Sequence, residues 1–146
     1  MMPSMTREIA LCSVMFLVAC AATGGNPTVN LRTVNSGSYS EATQRAAVAA
    51  FDDETFRKTW TTMIGGSEMP SIDFSREAVV FLFAGTRNTG GYAVEPRSVS
   101  VEGETLIVDA GVKGPPRDAM VTQVITSPYA VIAVDSRNFK DVRWTP

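Results

Sequence analysis

The stretch Ala78–Ala84, AVVFLFA, decides the fold. It is an unbroken run of β-branched and aromatic residues between Glu77 and Gly85. It is short for a helix and has the length of a central strand buried on both faces. Downstream, Gly85–Gly91 turns the chain and Tyr92–Val101 alternates as a strand. Glu102-Gly103 marks a tight turn, so Thr105–Ala110 returns as a hairpin partner. Gly114-Pro115-Pro116 does not fit a central strand. Met120–Ser127 and Ala130–Asp135 read as two more strands, separated at Ser127-Pro128-Tyr129.

Upstream, Asp53–Met63 reads as a helix. Asp52 or Asp53 can cap it, Glu54 suits its positive end, and Phe56, Trp60 and Met63 share a face. Gly65-Gly66 stops it. Arg45–Ala50, RAAVAA, fits strand or helix by periodicity, and its alanines favour helix. Val29–Tyr39 reads as an extended edge segment ending at Gly37. The expected fold is α+β and β-dominated, a mostly antiparallel sheet of at least five strands with one N-terminal helix packed on it.

The chain has 146 residues, 13 Lys+Arg against 15 Asp+Glu, and 45% hydrophobic content, which suits one globular domain with a core. A net charge of −2 supplies no basic field, so nucleic acid is not an expected partner. There is no histidine, which removes Ser-His-Asp and Cys-His catalysis and histidine-ligated metal sites. The expectation is therefore a chain with no catalytic residues, metal or cofactor.

The N-terminus reads as an address. An apolar run from Ile9 to Ala19 follows Arg7 and, as a helix, spans about 16 Å, roughly half a bilayer's hydrocarbon core. That length fits a secretory signal. The run ends in Leu17-Val18-Ala19-Cys20, which resembles the bacterial lipobox. That resemblance implies cleavage after Ala19 and acylation of Cys20, giving a membrane anchor. Removing residues 1–19 takes Arg7 and Glu8 together, so the charge stays at −2. Cys12 goes with the signal and Cys20 to lipid, leaving no thiol for a disulfide. The organisation expected is a signal peptide over 1–19, a lipidated cysteine and flexible tether over 20–30, and a single domain over 31–146. The location implied is the cell envelope, an outer membrane where the source has one, since Ala21 follows the cysteine.

The sharpest internal feature is Gly85-Thr86-Arg87-Asn88-Thr89-Gly90-Gly91-Tyr92. Its glycines permit positive φ and close backbone approach. Two readings stand: a hairpin loop whose glycines only satisfy geometry, or a contact loop presenting Arg87, Asn88, Thr89, Gly90, Gly91 and Tyr92. The loop has no P-loop lysine, and a strand follows it, so it is a poor phosphate cradle. Pro128 and Tyr129 form a second candidate, either a bend between strands or part of a binding surface. Gly114-Pro115-Pro116-Arg117-Asp118 reads as a stiff connector. A cluster of Asp73, Asp109 and Asp135 in a deep pocket would instead point to an envelope hydrolase working without histidine.

Taken in order, Pro70-Ser71-Ile72-Asp73-Phe74-Ser75, the apolar strand, Thr89-Gly90-Gly91-Tyr92 and Thr126-Ser127-Pro128-Tyr129 resemble the PrcB C-terminal domain family. The resemblance covers roughly Asp52 to Val134. It implies a non-catalytic lipoprotein subunit that binds and stabilises a subtilisin-like protease, with Arg87–Tyr92, Pro128 and Tyr129 at the contact. Two departures stand out: Asn88 where the family commonly has proline, and Ala130 where it often has histidine. A distant likeness to chagasin-type inhibitors leaves a protease-inhibitor-like binding domain as an alternative.

Overall fold

The computed structural model describes residues 28–66 and 68–146. The signal segment, Cys20 and the tether up to residue 27 lie outside the described residues. The strands are β1 (Thr28–Val29), β2 (Leu31–Gly37), β3 (Ala46–Ala50), β4 (Ala78–Phe83), β5 (Ala93–Glu102), β6 (Thr105–Lys113), β7 (Tyr129–Val134) and β8 (Asp141–Thr145). The helix α1 (Asp53–Met63) lies between β3 and β4. They form two four-stranded sheets, ordered β1-β5-β6-β8 and β2-β7-β4-β3. All pairings are antiparallel except β6 with β8. The expected class, β-dominated α+β with one helix, is the one observed.

The run that suggested a doubly buried strand is one. Every residue of β4 is buried, as is every residue of its neighbour β7. Alternation divides their side chains between two cores. Ala78, Val80, Leu82, Ala130, Ile132 and Val134 meet Val94, Val99, Leu106 and Val108 of the facing sheet. Val79, Phe81, Phe83 and Val131 meet Phe56 and Trp60 of the helix. The sheet β2-β7-β4-β3 is thus the middle layer, with α1 on one face and the second sheet on the other.

The helix begins and ends as its sequence requires. Asp52 accepts hydrogen bonds from Thr55 N at 2.7 Å and Thr55 Oγ1 at 2.9 Å. Gly65 and Gly66 follow it with φ of 71° and 86°, conformations that end a helix without a Cβ penalty. The β5–β6 hairpin turns at Gly103, φ 62°. Pro96 sits at the bulge in β5, beyond the two residues that β1 pairs, where its missing N–H breaks no second ladder.

Three expectations change, and one strand is additional. Arg45–Ala50 does not form a helix: Ala46–Ala50 is β3, because pairing along the whole of β4 outweighs alanine's helical preference. Met120–Ser127 is not a strand, and only Thr126 makes a bridge, to Arg87. Thr28 and Val29, which the sequence reading placed in a flexible tether, pair with Ser100 and Val99. The sequence reading has no counterpart for β8, which lies parallel to β6.

Candidate functional site: three loops at one end of the sandwich

The antiparallel topology brings three long connections to one end. They are 38–45 between β2 and β3, 84–92 between β4 and β5, and 114–128 between β6 and β7. Arg87 N donates to Thr126 O at 2.7 Å, and Thr126 N donates back to Arg87 O at 2.9 Å. Gly90 N donates to Thr122 O at 2.9 Å, and Thr126 Oγ1 to Thr89 O at 2.8 Å. The third loop joins through Ser127, whose N donates to Ser38 O at 2.9 Å and whose Oγ donates to Ala42 O at 2.5 Å. Thr86 N donates to Thr43 O at 3.2 Å. Loops that satisfy one another's backbones in this way form one interlocked end.

The glycines are used for close approach. Gly85 has φ 77°, and a Cβ there would lie 2.9 Å from the backbone of Gln44. A Cβ on Gly90 would lie 2.4 Å from Thr122 Oγ1, and one on Gly91, φ 84°, would lie 2.9 Å from Pro115. These contacts bear on the geometric reading of the glycine loop. The glycines satisfy local geometry, and they bring the β6–β7 loop down onto the β4–β5 loop.

The sequence candidates separate by burial. Asn88 and Gly91 are exposed, Arg87, Thr89 and Tyr92 are half-buried, and Gly90 is buried. Arg87 stands with its guanidinium carbon 5.6 Å from the Tyr92 ring centre and Nη2 donating to Ala84 O at 3.3 Å. Its Nε is buried without a partner. Pro128 is fully buried and Tyr129 only 8% exposed, which puts both in the support of this end and not on its outer face. The Tyr129 hydroxyl donates to Asn35 Oδ1 at 2.8 Å, and burial raises its pKa above the ordinary phenol range. Its ring also occupies the space beside Gly37, where a Cβ would approach it to 2.7 Å.

Sequence reasoning missed the exposed apolar side chains of these loops. Among the described residues the exposed large hydrophobics are Tyr39, Val48, Met120, Val124 and Ile125, and all except Val48 lie on these loops. Met120 is fully exposed and Ile125 is 69% exposed. Reading Met120–Ser127 as a strand had assigned such residues to a sheet face. The available signal was the spacing of Met120, Val124 and Ile125 after Pro115-Pro116, which does not alternate as a strand would.

Asp73, Asp109 and Asp135 do not converge on one pocket. Asp73 and Asp135 line a depression of about 430 Å³ with Arg76 and Glu77, but Asp109 lies elsewhere, bound by Arg97 at 2.6 Å. Asp73 accepts from Ser75 Oγ at 2.5 Å, and Asp135 holds Asn30 N and Nδ2 at 2.8 and 2.7 Å. Glu77 is in a paired contact with Arg32, with its shorter oxygen–nitrogen distance at 2.8 Å. Hydrogen bonds from Ser75 and from Arg32 lower the pKa of Asp73 and of Glu77. Both are therefore ionised at neutral pH and already bonded, which is the wrong state for a general acid. No group of three metal-ligating side chains occurs among the described residues.

The structure is a helix-backed β-sandwich whose three interlocked loops carry exposed apolar side chains at one end. The family model described as PrcB C-terminal matches residues 78–135, the span that holds β4 to β7 and two of the three loops. The family resemblance carried by the motifs is thus supported by that match, over a narrower stretch than Asp52 to Val134. No curated protein and no solved structure matches the chain.

Proposed function

We propose that this chain is a lipid-anchored, non-catalytic envelope protein that binds and stabilises a protein partner through the three-loop end. By family likeness the partner is a subtilisin-like protease. The observation that carries the reading is the concentration of exposed apolar side chains, Tyr39, Met120, Val124 and Ile125, on loops fixed by backbone hydrogen bonds. An apolar surface on interlocked loops loses little entropy on binding, and exposed apolar side chains clustered together mark contact sites. Asn88 and Gly91 are exposed on the same loop end, Arg87, Thr89 and Tyr92 are half-buried there, and Gly90, Pro128 and Tyr129 are buried. The anchor is Cys20, through the lipobox-like sequence before it.

The test is affinity capture of the full chain from detergent-solubilised membranes of its source, with mass spectrometry of what comes with it. A subtilisin-like protease is expected, and its recovery should fall at least tenfold for Met120→Ser/Ile125→Ser. Both residues are exposed, so this variant should melt like the parent. Undiminished capture by a folded double variant would reject the loop end. Labelling with a radioactive fatty acid tests the anchor separately, and label retained by Cys20→Ser would reject it.

A further inference from the structure

The four outer strands of the two sheets differ in how they are protected. Exposed edges present unpaired backbone groups, and proteins usually blunt them with charges, proline, bulges or short length. β1 has two residues. β2 carries Arg32 and a register break between Thr33 and Asn35. β8 carries Asp141 and Arg143. β3, AAVAA, has none of these devices. It pairs with β4 in unbroken register, has no partner on its other side, and leaves Val48 exposed at its centre.

Beside this edge the sheets leave a groove of about 350 Å³, lined by Arg45, Ala46, Ala47, Val142, Arg143 and Trp144. Two cations and no carboxylate line it. Among the described residues neither arginine takes part in an ion pair. Arg45 lies over the Trp144 ring, 4.1 Å from its centre, an arrangement that holds the guanidinium without using its N–H donors. The Trp144 ring is fixed in turn, because its Nε1 donates to Ala110 O at 2.7 Å. The alanines of β3 carry only a methyl group each, and β8 lies on the far wall of the groove.

We propose that the free edge of β3 takes an extended acidic segment of a partner protein as an added strand. Its main chain pairs with β3, and its carboxylates, at alternate positions, meet Arg45 and Arg143. Strand addition draws affinity from main-chain hydrogen bonds and selectivity from alternate side chains. A charge-assisted, two-pronged guanidinium contact supplies that selectivity here. This surface is separate from the loop end, and the proposal stands whether or not the loop end binds a protease.

The experiment is selection of random decapeptides displayed on phage against the full chain in detergent. Enrichment of Asp or Glu at alternate positions is expected. A synthetic copy of the enriched peptide should slow amide exchange in residues 46–50 and perturb Trp144 fluorescence. Its affinity should fall at least tenfold for Arg45→Gln/Arg143→Gln, a variant that removes charge from exposed side chains and keeps their length. Selected peptides without acidic enrichment, or no enrichment at all, would overturn the proposal. So would binding that leaves the 46–50 amides unprotected, or that is indifferent to the double variant.

Discussion

Arg87 and Thr126 face each other across an isolated antiparallel bridge, exchanging two backbone hydrogen bonds of 2.7 and 2.9 Å between loops that are far apart in the chain. The Thr126 side chain adds a third link, to Thr89 O, and is itself 97% shielded from solvent. These bonds tie the β4–β5 and β6–β7 loops to each other. Replacing Thr126 with valine keeps the shape and deletes the hydroxyl. Thr126→Val should cost about 1 kcal/mol in stability and accelerate amide exchange at Arg87 and Gly90. Exchange measured by mass spectrometry checks this, and unaltered rates at both amides would show that the loops are not coupled through this residue.

A second prediction separates backbone strain from steric conflict. Gly85 and Gly103 both have positive φ, 77° and 62°, but only Gly85 is crowded, by the Gln44 backbone at 2.9 Å. At Gly103 a Cβ would have nothing within 4 Å. Gly103→Ala should therefore cost only the left-handed penalty, about 1–2 kcal/mol. Gly85→Ala adds a clash with main chain that neither side can relieve, so its loss should be clearly larger. Urea unfolding of the two variants gives the comparison, and equal losses would contradict the close packing of the 38–45 loop against Gly85.

These positions show what was legible in the sequence and what was not. The all-apolar runs of β4 and β7 announced their burial because both faces of the middle sheet are covered. The α1 boundaries were legible because capping is local chemistry between Asp52 and Thr55. β3 was misread because its conformation is set by pairing with β4, a tertiary contact that alanine content does not report. β8 was missed for a similar reason: a short segment with two charges becomes a strand only beside β6. Glycine density marked a loop that packs tightly against its two neighbours. The direction in which each side chain points depended on distant hydrogen bonds, which is why Tyr129 lies inside and Met120 outside.

Packing of the helix onto the sheet gives a third prediction. Phe81 is fully buried, with ring centres of Phe56 and Phe83 at 5.7 and 6.1 Å. Phe81→Ala should cost about 3–5 kcal/mol, a large share of the stability of a domain this size. Phe81→Leu, which keeps most of the volume, should cost markedly less. If both variants unfold at the same denaturant concentration, the helix-side core is looser than the ring contacts imply.

The absence of histidine sets the pH dependence of stability. Asp52, Asp73, Glu77 and Asp109 all have lowered pKa values, held down first by hydrogen bonds from Thr55, Ser75, Arg32 and Arg97 respectively. A carboxylate whose folded pKa lies below its unfolded value contributes stability above the unfolded pKa, near 4, and loses it as pH falls through the folded one. Tyr129 acts at the other limit. Burial raises its pKa, so the folded state holds the phenol proton more tightly than the unfolded chain does, and stability falls as pH rises above about 10. Between these limits no described side chain is an imidazole or a thiol, so the unfolding midpoint should be nearly flat from about pH 6 to 9. Tyr129→Phe should remove part of the alkaline loss while lowering neutral stability through the hydrogen bond to Asn35. A steep change in midpoint near pH 6.5, or an alkaline limb unaltered in Tyr129→Phe, would show that other groups govern the transition.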